Sequence, residues 1–273
     1  MDNGNANIRL SGWIEELQSK GKHSFSVRHV HKLFPSYSDI ALKRSLSRLS
    51  EKKKVVSIFK GYYLIIPPQY LSKGVLPPPI YIDEFMKFLE RPYYVGLLNA
   101  ASFHGSAHQR PQEYFIFTIF PVLRPTEKKG IKVNFISKKK ISEKLLEDRK
   151  TESGYLKISS PELTAADLVQ FERRVGGLNR VATVLNELAE ALKPEGFSES
   201  FFDDVASTSI QRLGYLLDKE LGFHSIADEL FEKCKNNGFN FFRIPLKASQ
   251  NTKGHYSDEK WKVIVNTKIE IDE

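Results

Sequence analysis

The sequence predicts an α+β fold, and three observations carry that reading. Residues 24–67 run as a short helix, a turn, a basic helix and two β-rich segments around Gly61. Paired and tripled prolines at 67–68 and 77–79 then interrupt any regular element. Beyond them, helical periodicities alternate with short β-branched and aromatic runs up to residue 265. The order in the first block is that of a winged helix-turn-helix. The expected layout is a winged helix-turn-helix DNA-binding domain at 1–67, a Pro-rich linker at 68–80, and a larger mixed α/β C-terminal domain at 81–273.

In chain order, 8–18 has Ile8, Leu10, Trp13, Ile14 and Leu17 at near-helical spacing, with Gly21 as a stop. Ser26 is placed to cap a second helix whose apolar side is Val27, Val30, Leu33 and Phe34. His29 and His31 on that helix lack a third ligand, so they are expected to be solvated or to face phosphate. Pro35 breaks the chain, and Ser36 with Asp39 forms a Ser-x-x-Asp capping pair that starts the basic helix. Leu42, Leu46 and Leu49 recur at i, i+4 and i+7. That stripe leaves Ile40, Lys43, Arg44, Ser47, Arg48 and Glu51 facing outward.

Such a face suits a recognition helix, because Arg and Lys reach guanine edges or phosphates, Ser serves either, and Ile40 can touch a thymine methyl. Val55 to Phe59 and Tyr62 to Ile66 make a hairpin with Lys60 at its tip, set to meet a backbone phosphate. The charge balance agrees. Residues 1–67 contain twelve Lys and Arg against five Asp and Glu, a net of +7, and the whole chain carries +8. The DNA-binding residues expected here are Tyr37, Ser38, Lys43, Arg44, Ser47, Arg48, Lys52 and Lys60.

In the second domain, amphipathic helices are expected at 81–89 and 93–103, and strands at 114–120, 132–136 and 155–158. A helix opens at Ser160-Pro161 with proline in the first turn, where its missing N–H is harmless. Further helices are expected at 179–192, 200–205, 207–221 and 225–235, and late strands at 240–244 and 261–265. Catalytic signatures are missing from the sequence. Gly176-Gly177 is an isolated pair, no Gly-x-Ser-x-Gly elbow occurs, and His104 and His108 are separated by Gly105. The pairs Asp83-Glu84, Asp203-Asp204 and Asp258-Glu259 diverge on a helix and read as solvated surface. The single Cys234 excludes an internal disulfide and reads as a buried structural thiol. No cofactor, no metal and no catalytic activity are expected. The polar stretch 1–7 lacks a hydrophobic segment and no run is long enough to span a bilayer, so the protein is expected in the cytoplasm without a membrane partner.

Three stretches together carry a resemblance: GYYLI at 61–65, YYVGLLNAASFHGSAHQRPQEYFIFT at 93–118 and ISSPELTAADLVQFERRVGGLNRVATVLNELAEAL at 158–192. They resemble the type IV antitoxin of the bacterial abortive-infection AbiE system, a transcriptional regulator. The resemblance covers about 25 to 265. It implies a winged domain that represses the operon by binding inverted repeats in double-stranded promoter DNA, and a C-terminal domain that counteracts a nucleotidyltransferase toxin without a stable complex. Lys43, Arg44, Ser47, Arg48 and Lys60 match its DNA-contacting elements. Two other readings fit the residues: an effector-responsive transcription factor, shown by a ligand that shifts operator affinity, and a helix-turn-helix-targeted nuclease, shown by metal-dependent cleavage.

Overall fold

A computed structural model of the protein describes residues 9–106 and 113–271. The stretch 1–7, Ile8 and His108 lie outside the described residues. In chain order the elements are α1 (Leu10–Ser19), β1 (Ser24–Ser26), α2 (Val27–Leu33), α3 (Asp39–Glu51), β2 (Val55–Phe59), β3 (Tyr62–Ile65), α4 (Pro78–Phe88), β4 (Tyr93–Val95), α5 (Leu97–Phe103), β5 (Glu113–Ile119), β6 (Thr126–Lys128) and β7 (Ile131–Lys138). After these come β8 (Leu146–Thr151), β9 (Gly154–Ser159), α6 (Pro161–Gln170), α7 (Leu178–Leu188), α8 (Glu199–Asp204), α9 (Ser207–Tyr215), α10 (His224–Asn236), β10 (Ile244–Pro245) and β11 (Val263–Ile264). The fold is mixed α+β, as expected, and its strand pairs run in both senses. The described residues form two compact units, one of 9–93, 113–137 and 148–156, the other of 94–106, 138–147 and 157–271.

In the first unit, the apolar faces of three helices meet a small sheet. Leu10, Trp13 and Ile14 of α1, Val30 of α2 and the Leu42, Leu46, Leu49 stripe of α3 pack with Phe25, Val55 and Ile65. Trp13 meets Phe25 and Phe34 edge-on at 5.5 and 5.8 Å. The expected two-stranded ribbon has a third strand, in the order β1-β3-β2 with Phe25 opposite Tyr63. Three residues, Ser-Phe-Ser, are too short a run to announce a strand; Phe25 belongs there because its ring is needed in the core.

The helix expected at 81–89 begins at Pro78, with proline in its first turn. It lays Phe85 against Tyr62 and Phe59 at 5.2 and 5.6 Å. Strands β6-β7-β5 are neighbours in that order, β6 and β7 antiparallel.

The second unit corrects one element type. Residues 93–103, expected as one helix, divide into β4 and α5 around Gly96. Tyr93, Tyr94 and Val95 are all buried, and β-favouring side chains enclosed on both faces make a strand. Val95 pairs parallel with Ile158 of β9. The helix α6 opens as expected, with Ser160 Oγ accepting from Leu163 N at 3.3 Å. It is buried from Glu162 to Val169, and packs on α5, α7 and α9. In α7, Val181, Val184, Leu185 and Leu188 form the expected apolar face. Both late strands shrink to a two-residue parallel pair, β10 with β11.

Candidate nucleic-acid interface

The cap of α3 falls at Ser38 and not at Ser36. Ser38 is extended, with φ −68° and ψ 155°, and its Oγ accepts from Ala41 N at 3.2 Å. Both serines satisfy the pattern of a polar residue before the stripe, and only the backbone decides between them. Asp39 lies in the first turn, where a carboxylate suits the helix dipole, 3.1 Å from His31 Nε2. Replacing Ser38 by Ala is expected to cost about 1 kcal/mol of stability, read from the urea midpoint; a change below a few tenths would show that the cap contributes nothing.

The other expected site residues divide by exposure. Lys43, Arg44, Ser47 and Arg48 are exposed along α3, Lys52 is exposed at its C-cap, and Lys60 is exposed in the β2–β3 turn beside Gly61, whose φ is +77°. Ile40 stands 66 % exposed on the first turn. Ser47 Oγ donates to Glu51 Oε1 at 3.2 Å. Tyr37 differs from the rest. Its ring is half-buried against the core, edge-on to Phe34 at 5.9 Å, so it braces the entry to α3. Among the described residues Lys43, Arg44, Arg48, Lys52 and Lys60 make no ion pair. Lys54, two residues past the cap, is held by Glu15 at 2.7 Å. Of the helix-α2 histidines, His29 stacks on Trp13 at 5.8 Å while staying exposed, and His31 faces Asp39.

In the second unit the polar groups turn inward. Tyr94 Oη donates to Asp167 Oδ2 at 2.7 Å, and Lys138 Nζ lies 3.3 Å from the same hydroxyl. Burial pushes both the Asp167 carboxyl and the Tyr94 phenol above their ordinary ranges. Each acidic pair expected as solvated surface has one member that accepts a hydrogen bond. Asp204 accepts from Ser142 N at 2.9 Å and pairs with Lys140 at 3.1 Å, Asp258 accepts from Trp261 N at 2.6 Å, and in the first unit Asp83 accepts from Tyr93 Oη at 2.8 Å. Consecutive residues diverge on a helix, which in α4 and α8 sends one carboxylate inward and leaves Glu84 or Asp203 outside; Asp258 and Glu259 lie in a turn region, where Glu259 is again the exposed member. Sequence reading missed these partners because they are distant along the chain.

His104 is the C-cap of α5, and its Nε2 lies 2.8 Å from the Ser159 carbonyl oxygen. Cys234 is buried in α10, and burial pushes its thiol up to about 12. Among the described residues no three His, Cys, Asp or Glu stand close enough to hold a metal ion, and no helix is long and apolar enough to cross a membrane.

These features define an α+β protein with an unpaired cationic helix face in one unit and internally paired carboxylates in the other. Residues 94–219 match the family model of the AbiEi antitoxin C-terminal domain, a match that supports an AbiEi-like antitoxin family. The match supports an antitoxin role in a toxin–antitoxin system and suggests a non-enzymatic regulator. The fold is also similar to that of a solved protein, RV2827C from Mycobacterium tuberculosis, with a TM-score of 0.66 over 93% of this chain and 90% of that one, at 15% identity. At that identity the likeness is one of fold alone. No curated protein matches the chain in sequence.

Proposed function

We propose that the chain is a type IV antitoxin that represses its own operon. In this reading residues 1–67 are a winged helix-turn-helix module, with α3 as recognition helix and the β2–β3 hairpin as wing. Residues 68–80 connect it to an antitoxin-like part at 81–273, which counteracts a nucleotidyltransferase toxin, without a stable complex and without catalysis. The ligand of the first module is double-stranded DNA at promoter inverted repeats.

The observation that carries the DNA reading is the exposed, unpaired row Lys43, Arg44, Arg48, Lys52 and Lys60 on one helix and one hairpin tip. Side chains held in ion pairs have to surrender them to reach a phosphate, and these do not. If about four to six phosphates are neutralised, log affinity falls against log salt with a slope near −4 to −5. Arg44→Ala or Arg48→Ala is expected to weaken operator binding by about 1–3 kcal/mol if the residue pairs with a base edge. An equal loss on random DNA assigns it to phosphate, and unchanged affinity in both variants sinks the DNA reading.

The antitoxin half is tested by growth rescue in cells that express the neighbouring nucleotidyltransferase gene. Deleting 1–79 is a poor probe, because Phe85 of α4 would lose Tyr62 and Phe59. A full-length Arg44→Glu, Arg48→Glu chain is expected to rescue growth while losing repression of a promoter reporter. No rescue by the unaltered chain refutes the antitoxin role.

A further inference from the structure

The first unit holds a second hairpin with a lysine-glycine tip. Strands β6 and β7 pair with Thr126 opposite Val133, Glu127 opposite Lys132 and Lys128 opposite Ile131, which leaves Lys129 and Gly130 as the two turn residues. Their φ angles are +50° and +78°, the two left-handed centres of a type I′ turn. Asn or Gly is favoured at the first of these, and lysine there is strained. Arg124, Lys128 and Lys129 are exposed and make no ion pair among the described residues, whereas Lys132 is held by Glu113 at 2.9 Å. Glu127 is the one carboxylate on β6.

The location matters as much as the charge. Strand β6 packs beside β2, and β2 packs against α3. The β6–β7 hairpin, through β6, and α3 thus pack on one and the same five-residue strand. A Cβ added at Gly74 would meet the Lys129 stem, 3.7 Å from its Cε. Resting on the DNA reading of α3, we infer that the β6–β7 tip is a second phosphate clamp, in which Lys128 and Lys129, with Arg124 behind them, neutralise backbone phosphates flanking the operator half-site.

The test uses the full chain with Lys128→Ala and Lys129→Asn together, since Asn suits the turn's backbone while removing its charge. Titration of a promoter fragment and of random DNA against salt is expected to show equal weakening on both and a slope shallower by about 2, at roughly 0.9 per phosphate. Hydroxyl-radical footprints are expected to lose protection at one flank only. If slope and footprint stay unchanged while Arg44→Ala still weakens operator binding, the clamp is refuted and the lysines guard the open edge of β6 against pairing with other chains. If Arg44→Ala and Arg48→Ala also leave binding unchanged, the DNA reading falls, and the clamp with it.

Discussion

Asp218→Ala is expected to lower the stability of the full chain by about 3 kcal/mol at pH 7, read from the urea midpoint. The side chain is 4% exposed and gathers three donors. Lys260 Nζ reaches Oδ2 at 2.9 Å, Trp261 Nε1 reaches the same oxygen at 3.0 Å, and His224 Nδ1 lies 3.0 Å from Oδ1. Burial alone would favour the neutral acid. Hydrogen bonds from Lys260, His224 and Trp261 overcome it and hold the carboxyl far below the ordinary carboxylate range. Removing the carboxylate strands a buried indole N–H and leaves Lys260 to Asp228 alone. The figure sits at the low end for a broken buried pair because Lys260 keeps 24% of its side chain in water.

The sign with pH follows from linkage. Because the folded carboxyl titrates below its unfolded value, its stabilisation is complete above the unfolded pKa of about 3.9 and is lost as pH falls through that value towards the folded one. Asp218→Asn should therefore differ most from the unaltered chain near neutrality and converge with it in acid. Midpoints that differ by the same amount at pH 7 and pH 3 would remove the ionised carboxylate from the account.

Legibility in the sequence followed the range of the interaction. The α3 stripe was readable because Leu42, Leu46 and Leu49 sit within two turns, and with it the complementary cationic face. The α6 start was readable because Ser160 and Pro161 act on their own helix. What failed had little local signal. Residues 146–151, Leu-Glu-Asp-Arg-Lys-Thr, put four charged residues in six and hide strand β8, and Thr-Glu-Lys hides β6. Residues 93–95 read equally as a helix start until burial on both faces makes them a strand. The carboxylate partners were least legible. Ser142 meets Asp204 across 62 positions and Trp261 meets Asp218 across 43, distances over which no periodicity carries information.

Gly214→Ala carries the sharpest conflict of sign in the molecule. Helix propensity alone favours alanine over glycine in α9 by about 1 kcal/mol. The packing opposes it: a Cβ at Gly214 would overlap the Trp261 indole. That ring has nowhere to go. It is fully buried, bounded by Phe231 at 5.3 Å and Phe241 at 6.1 Å, and its N–H is fixed on Asp218. Overpacking a filled core costs about 1–3 kcal/mol and more where neither partner can move, so a net loss of about 3 kcal/mol is expected. Trp261→Leu in the same chain should recover part of it, a coupling visible in a double-mutant cycle. A Gly214→Ala chain more stable than the unaltered one would show that the ring is free to shift and that propensity wins. Trp261 lies beyond the 94–219 segment that matches the antitoxin family, yet it seals the helix that ends that segment. A chain cut at 219 would expose Gly214, strip Asp218 of its three donors and fail to fold, so the antitoxin-like unit has to be assayed with residues 220–271 attached.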